Sequence, residues 1–80
     1  MLSSMNVRNK NISGKRIKAR RQQLELSQDQ LSGRLAKIGI TIDRAGISKI
    51  ETGIRGISDF ELKALAKILK SSADWLLGGN

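Results

Sequence analysis

The chain has 80 residues, which is enough for one small domain and its core but not for a second. It contains no Cys and no His, which excludes disulfides, thiolate and imidazole metal sites, and the commonest nucleophile and general base. Fifteen Lys and Arg against seven Asp and Glu give a net charge of +8, which favours a polyanionic partner, nucleic acid ahead of an anionic membrane surface.

The N-terminus, MLSSMNVRNKNISGKR, lacks the apolar core of a signal peptide, and no apolar run approaches the roughly 20 residues of a membrane span. Cytoplasm is the default expectation, and no membrane partner is expected. Without His, Cys, a phosphate-binding glycine loop or a carboxylate cluster, no catalytic residue, metal ligand or cofactor is assigned, and the chain does not read as an enzyme.

Residues 1–12 are polar and without periodicity, and read as a flexible basic tail ahead of a domain over 13–80. Between Arg8 and Arg21 every charged residue is basic: Arg8, Lys10, Lys15, Arg16, Lys18, Arg20 and Arg21. Such a run is either a nucleic-acid surface or an ordinary solvated face. A first helix is expected from about Gly14 to Glu25, with Ser13 as its cap. Ile17, Arg21 and Leu24 share one face of it, so an arginine sits within an apolar stripe.

The second helix, about Gln28 to Ile38, starts with Ser27 and Gln30 in capping-box spacing. Leu31, Leu35 and Ile38 form its apolar stripe, and Gly39 suits the position after the helix that needs a positive φ. Ile40 and Ile42 then point to one side of an extended piece. Asp43 is a good N-cap for a third helix, about Arg44 to Thr52, which Gly53 ends. Its inward face is Ile47, Ile50 and Glu51, so a second charge falls on a core stripe. Two opposite charges on facing helices can pair, and an Arg21–Glu51 ion pair is expected, the alternative being that Arg21 reaches solvent and Glu51 sits at a boundary.

The fourth helix has the clearest start. Ser58 caps it, Glu61 completes a capping box, and Ile57 and Leu62 are spaced as a hydrophobic staple. Leu62, Leu65, Ala66 and Leu69 form its stripe to about Lys70. A short fifth helix follows, capped by Ser71 or Ser72, with Ala73, Leu76 and Leu77 inward and Gly78 at its end. Trp75 is either core or part of a small symmetric contact with Leu76 or Leu77. Five short helices with small connections make an all-α bundle.

On the outer face of the third helix Ala45, Ser48, Lys49 and Thr52 lie within about 100° of arc, and Arg44 follows the cap. Small hydrogen-bonding residues flanked by two cations suit a helix set deep in the major groove, although an ordinary wet helix face has the same composition. Gln28 at the start of the second helix and Arg55, between glycines in TGIRGIS, are placed to meet the phosphate backbone.

The ordered motifs SQDQLSGRLA, ISKIETG, SDFELKALAKIL and SADWLL resemble the phage repressor and Cro-like (XRE-like) helix-turn-helix family over about Ser13 to Gly78. The resemblance implies a compact five-helix bundle of the lambda-repressor-like DNA-binding type. Helices two and three then form the helix-turn-helix, acting as a homodimer on a pseudo-palindromic operator of double-stranded DNA. The implied function is sequence-specific transcriptional regulation, with repression the expected mode. A DNA-binding antitoxin or a protein-interaction module of the same fold is the alternative. By position, Arg44, Ala45, Ser48 and Lys49 resemble the base-reading residues, Gln28, Thr52 and Arg55 the phosphate contacts, and Arg21 and Glu51 the family's inter-helix ion pair. The chain departs from the family between Leu35 and Ile47, where KIGITIDRAG makes an enlarged turn, at Gly46 inside the third helix, and at Glu25, where a glycine commonly ends the first.

Overall fold

A computed structural model of the chain describes residues 11–79. Among these residues there are five helices and no strand: α1 (Gly14–Gln23), α2 (Gln28–Lys37), α3 (Arg44–Glu51), α4 (Asp59–Ile68) and α5 (Ala73–Leu76). The basic residues Arg8 and Lys10 and most of the expected tail lie outside the described part.

Local chemistry sets the starts of four helices. Ser27 and Ser58 form complete capping boxes with Gln30 and Glu61. The Asp43 carboxylate accepts from the Gly46 N–H at 2.7 Å, and the Ser72 hydroxyl accepts from the Trp75 N–H at 3.0 Å. The start of α1 differs from expectation, because the Ser13 side chain makes no capping hydrogen bond. Asn11 organises this end instead. Its Oδ1 accepts from the Ser13 N–H, and its Nδ2 donates to the carbonyls of Ile50, in α3, and Arg55. The tail-like composition of residues 1–12 thus conceals a residue that ties the start of α1 to the end of α3.

All five helices end in paired backbone bonds of the Schellman type, with the turning residue at Glu25, Gly39, Gly53, Lys70 and Gly78. Helix α1 therefore stops two residues short of the expected Glu25, which adopts φ 57°. Lys70 does the same at φ 54°. Both are non-glycine residues in the left-handed region, a conformation that costs an L-residue roughly 1–2 kcal/mol.

The core gathers Ile17 from α1, Leu31 and Leu35 from α2, Ile47 and Ile50 from α3, Ala64, Leu65 and Leu69 from α4 and its end, and Leu76 from α5. Helix α1 packs on α3 and α5, α3 on α2, and α4 on α2 and α5. Three apolar positions expected inside are exposed: Ile38, Ala73 and Leu77. Ile38 is the last residue before the chain reverses at Gly39, while Ile42 beyond the reversal enters the core and Ile40 packs against it. In the single turn of α5 only Leu76 is fully buried.

The enlarged turn between α2 and α3 is held at several points. Ile42 is buried, and its carbonyl accepts a hydrogen bond from the Ser32 hydroxyl of α2. A methyl at Gly46 would lie 2.8 Å from the Ile42 Cγ2 and 3.1 Å from the Asp43 Oδ1. Glycine inside α3 therefore serves the close approach of the helix to its own preceding turn.

One buried ionic contact joins three elements. Arg21 of α1 donates to Glu51 of α3 through Nε at 2.6 Å and Nη2 at 3.1 Å, a side-on fork. Its Nη1 donates to the Leu26 carbonyl at 2.8 Å, in the α1–α2 turn. Gln28, the first residue of α2, donates from Nε2 to the same Glu51 Oε1 at 3.1 Å. The two charged side chains are only 10 % and 2 % exposed, and no buried polar side-chain atom among the described residues lacks a partner.

These contacts set two expectations for denaturant unfolding. Glu25→Gly should stabilise the domain by about 1 kcal/mol by relieving the left-handed cost. Gly46→Ala should destabilise it by about 1 kcal/mol, because overlap at Ile42 and Asp43 outweighs the gain in helix propensity. For the ion pair, Glu51→Ala leaves a buried guanidinium without its carboxylate and should cost about 3–5 kcal/mol. The double variant Arg21→Met with Glu51→Ala should in total cost at least about 2 kcal/mol less than the sum of the two single changes.

Candidate nucleic-acid interface

The buried face of α3 is Ile47, Ile50 and Glu51, which leaves Arg44, Ala45, Lys49 and Thr52 exposed and Ser48 half-buried. Ala45 and Lys49 thus lie on the side of α3 away from the core, with Ser48 at its flank and Arg44 exposed as the first residue of the helix. Ala45 and Ser48 are short, and neither would hold the helix backbone off a flat or grooved partner. The Thr52 hydroxyl donates back to the helix carbonyls of Ser48 and Lys49, leaving its oxygen free to accept. Thr52 lines one groove with Asn11, Lys15 and Gly53, between the start of α1 and the end of α3.

Of the three expected phosphate contacts, Thr52 bonds only to carbonyls of its own helix, whereas Gln28 and Arg55 are engaged with carboxylates of the protein. Gln28 is half-buried and points its amide nitrogen at Glu51, so it belongs to the ionic network as well as to the start of α2. Arg55 is paired with Glu61. Its Nη2 donates to Oε2 at 2.8 Å and its Nη1 to Oε1 at 3.1 Å, while Nη1 also donates to the Gly56 carbonyl at 2.9 Å. These bonds from Arg55 hold the Glu61 carboxyl below the usual carboxylate range, and those to Glu61 raise the Arg55 guanidinium further above its ordinary value. Glu61 was legible in sequence only as a capping residue; its second partner lies six residues back across a turn.

The basic run of α1 divides. Lys15 and Lys18 are exposed, whereas Arg21 is buried with Glu51. Arg16 donates from Nη1 to the carbonyls of Trp75 and Gly79 at 2.7 and 2.8 Å, with its guanidinium 4.9 Å from the centre of the Trp75 ring. Arg20 donates to the carbonyls of Leu69 and Lys70, where α4 ends. These two arginines satisfy carbonyls at the negative ends of α5 and α4. They are structural cations, and among the described residues Arg44 and Lys49 on α3 and Lys15 beside its end are cations without a carboxylate partner. Trp75 is half-buried beneath Arg16, Leu76 is fully in the core, and Leu77 is 44 % exposed. Among the described residues the most exposed large apolar side chain is Phe60, at 81 %, in the first turn of α4.

Comparison with known proteins agrees with this geometry. A family model described as helix-turn-helix matches residues 17–76. The chain superposes on the P22 c2 repressor, solved in complex with a synthetic operator, with a TM-score of 0.74 and 31% sequence identity. The match covers 88% of this chain and 98% of that one. A search of curated protein sequences returned no match. Residues 17–76 take in α2, the enlarged turn and α3 together with the core that holds them, and the chain belongs to the phage-repressor-like helix-turn-helix family.

Proposed function

We propose that the protein binds double-stranded DNA sequence-specifically and regulates transcription as a repressor. The observation that carries this is α3. It presents Arg44, Ala45, Ser48 and Lys49 to solvent while Glu51, its last residue, is locked to α1 and α2. The structural relative was solved on operator DNA, which supports the same use of the fold. In this reading α3 lies in the major groove. Arg44 and Lys49 donate to guanine O6 and N7, Ala45 meets a thymine methyl, and Ser48 hydrogen-bonds a base edge. Gln28, Thr52 and Arg55 contact phosphate and set the register of the helix.

A single α3 covers one half-site. Two copies related by a two-fold axis would place their recognition helices one DNA turn apart, about 34 Å, on a pseudo-palindromic operator. A homodimer formed at least on DNA follows. The working compartment is the one that holds the DNA, the cytoplasm of a cell without a nucleus.

Selection of bound sequences from a random duplex pool tests this reading. The wild type should enrich a two-fold related motif. Arg44→Ala and Lys49→Ala should each relax preference at specific positions by about 1–3 kcal/mol per base pair. Arg55→Ala should weaken all sequences alike and flatten the salt dependence by about one unit of log-log slope. Unchanged base preference in both the Arg44 and Lys49 variants would remove α3 from the groove.

A further inference from the structure

Glu61 has no place in the base- or phosphate-contacting set, yet it faces the one loop arginine of that set. Its carboxylate takes the end-on edge of Arg55, the Nη1 and Nη2 side. The Gly56 carbonyl takes the other Nη1 hydrogen. The side-on edge, Nε–H together with the second Nη2 hydrogen, has no partner among the described residues. The Arg55 side chain as a whole is 34 % exposed. That edge has the fork geometry that takes two oxygens of one phosphate.

The loop that carries Arg55 is itself fixed. The N–H groups of Ile54 and Arg55 both donate to the Lys49 carbonyl, and the Arg55 carbonyl accepts from Asn11. Glu61 is fixed as well, since its Oε1 accepts from the Ser58 N–H in the α4 capping box. Backbone, carboxylate and guanidinium thus form one connected unit, joined through Lys49 to α3.

We infer that Glu61 is a positioning residue for DNA binding: it grips one edge of Arg55 so that the other is presented, already oriented, to a backbone phosphate. The inference rests on the DNA-binding reading above. A free arginine side chain loses rotamer freedom when it docks on a phosphate, and one already held loses less. The negative charge of Glu61 also repels DNA, so a single substitution mixes two effects of opposite sign. A double-mutant cycle separates them.

The experiment measures affinity for the duplex selected by the wild type, using wild type, Glu61→Gln, Arg55→Ala and the double variant. The amide of Glu61→Gln keeps an oxygen to accept from the Ser58 N–H, so the cap of α4 survives; denaturant unfolding of each variant checks that it folds. With Arg55 absent, Glu61→Gln should leave binding unchanged or strengthen it, through relief of repulsion alone. With Arg55 present, it should weaken binding by about three- to tenfold relative to that baseline. The Arg55 Nε–H resonance of the wild type should shift when duplex is added, because that edge takes the phosphate.

Equal effects of Glu61→Gln in the two backgrounds would overturn the inference. A larger strengthening with Arg55 present would also overturn it, since Glu61 would then compete with phosphate. A stationary Nε–H resonance, or an Arg55→Ala variant that binds as well as wild type, would show that this edge meets no phosphate. A wild type that selects no duplex would overturn the DNA-binding reading itself, and this inference with it.

Discussion

The bidentate contact between Arg21 and Glu51 is the constraint on which the arrangement of α3 and its exposed side chains depends. It lies on the inner faces of α1 and α3, and Gln28 and the Leu26 carbonyl extend it to α2 and its preceding turn. Burying two charges is costly, and only full hydrogen bonding offsets that cost. The geometry therefore tolerates little rotation of α3 about its axis. Rotation would break the fork, leave Glu51 facing apolar neighbours and turn Lys49 and Ala45 from their outward direction. Apolar contacts at Ile47 and Ile50 hold α3 to the core but would accept small shifts, as close-packed hydrophobes can be rearranged at modest cost. The ionic network supplies the angular precision.

A second constraint acts at the other end of α3. The enlarged turn has the length to wander, yet it is pinned by Ile42 in the core, by Ser32 on the Ile42 carbonyl and by Asp43 on the Gly46 N–H. The absence of a side chain at Gly46 lets helix and turn touch. Helix α3 is thus fastened at its start by the turn and at its end by Glu51 and Asn11. A short helix fastened at both ends can present side chains to base edges with little loss of conformational freedom on binding.

Much of this was legible in the sequence because it is local. The caps at Ser27 and Ser58, the inward Leu31 and Leu35 of α2, the stripe of α4 and the alternation of Ile40 and Ile42 follow from spacing alone. Arg21 and Glu51 were legible for a different reason: each violates its own stripe, and a violation on each of two facing helices invites a partner. Arg16 and Arg20 carried no such sign. Their partners are backbone carbonyls 49 to 63 residues away, and backbone carbonyls are the same at every position in a sequence. A basic run that looks like a single polyanion surface is therefore partly a set of caps for distant helices. Asn11 was hidden likewise, since its partners are carbonyls of Ile50 and Arg55. The end of α1 was misplaced because Glu25 adopts a backbone conformation for which glycine is the usual signal.

The central claim is that the outward face of α3, held by this network, is what meets DNA. Titration of isotope-labelled protein with a selected duplex, followed through backbone amide resonances, tests it most directly. The account predicts the largest shifts from Arg44 to Thr52, with further shifts at the start of α2 and in the loop around Arg55, while α5 and the Arg16–Trp75 contact stay unperturbed. Shifts centred on α5 and the exposed lysines of α4, with the amides of α3 unmoved, would contradict it.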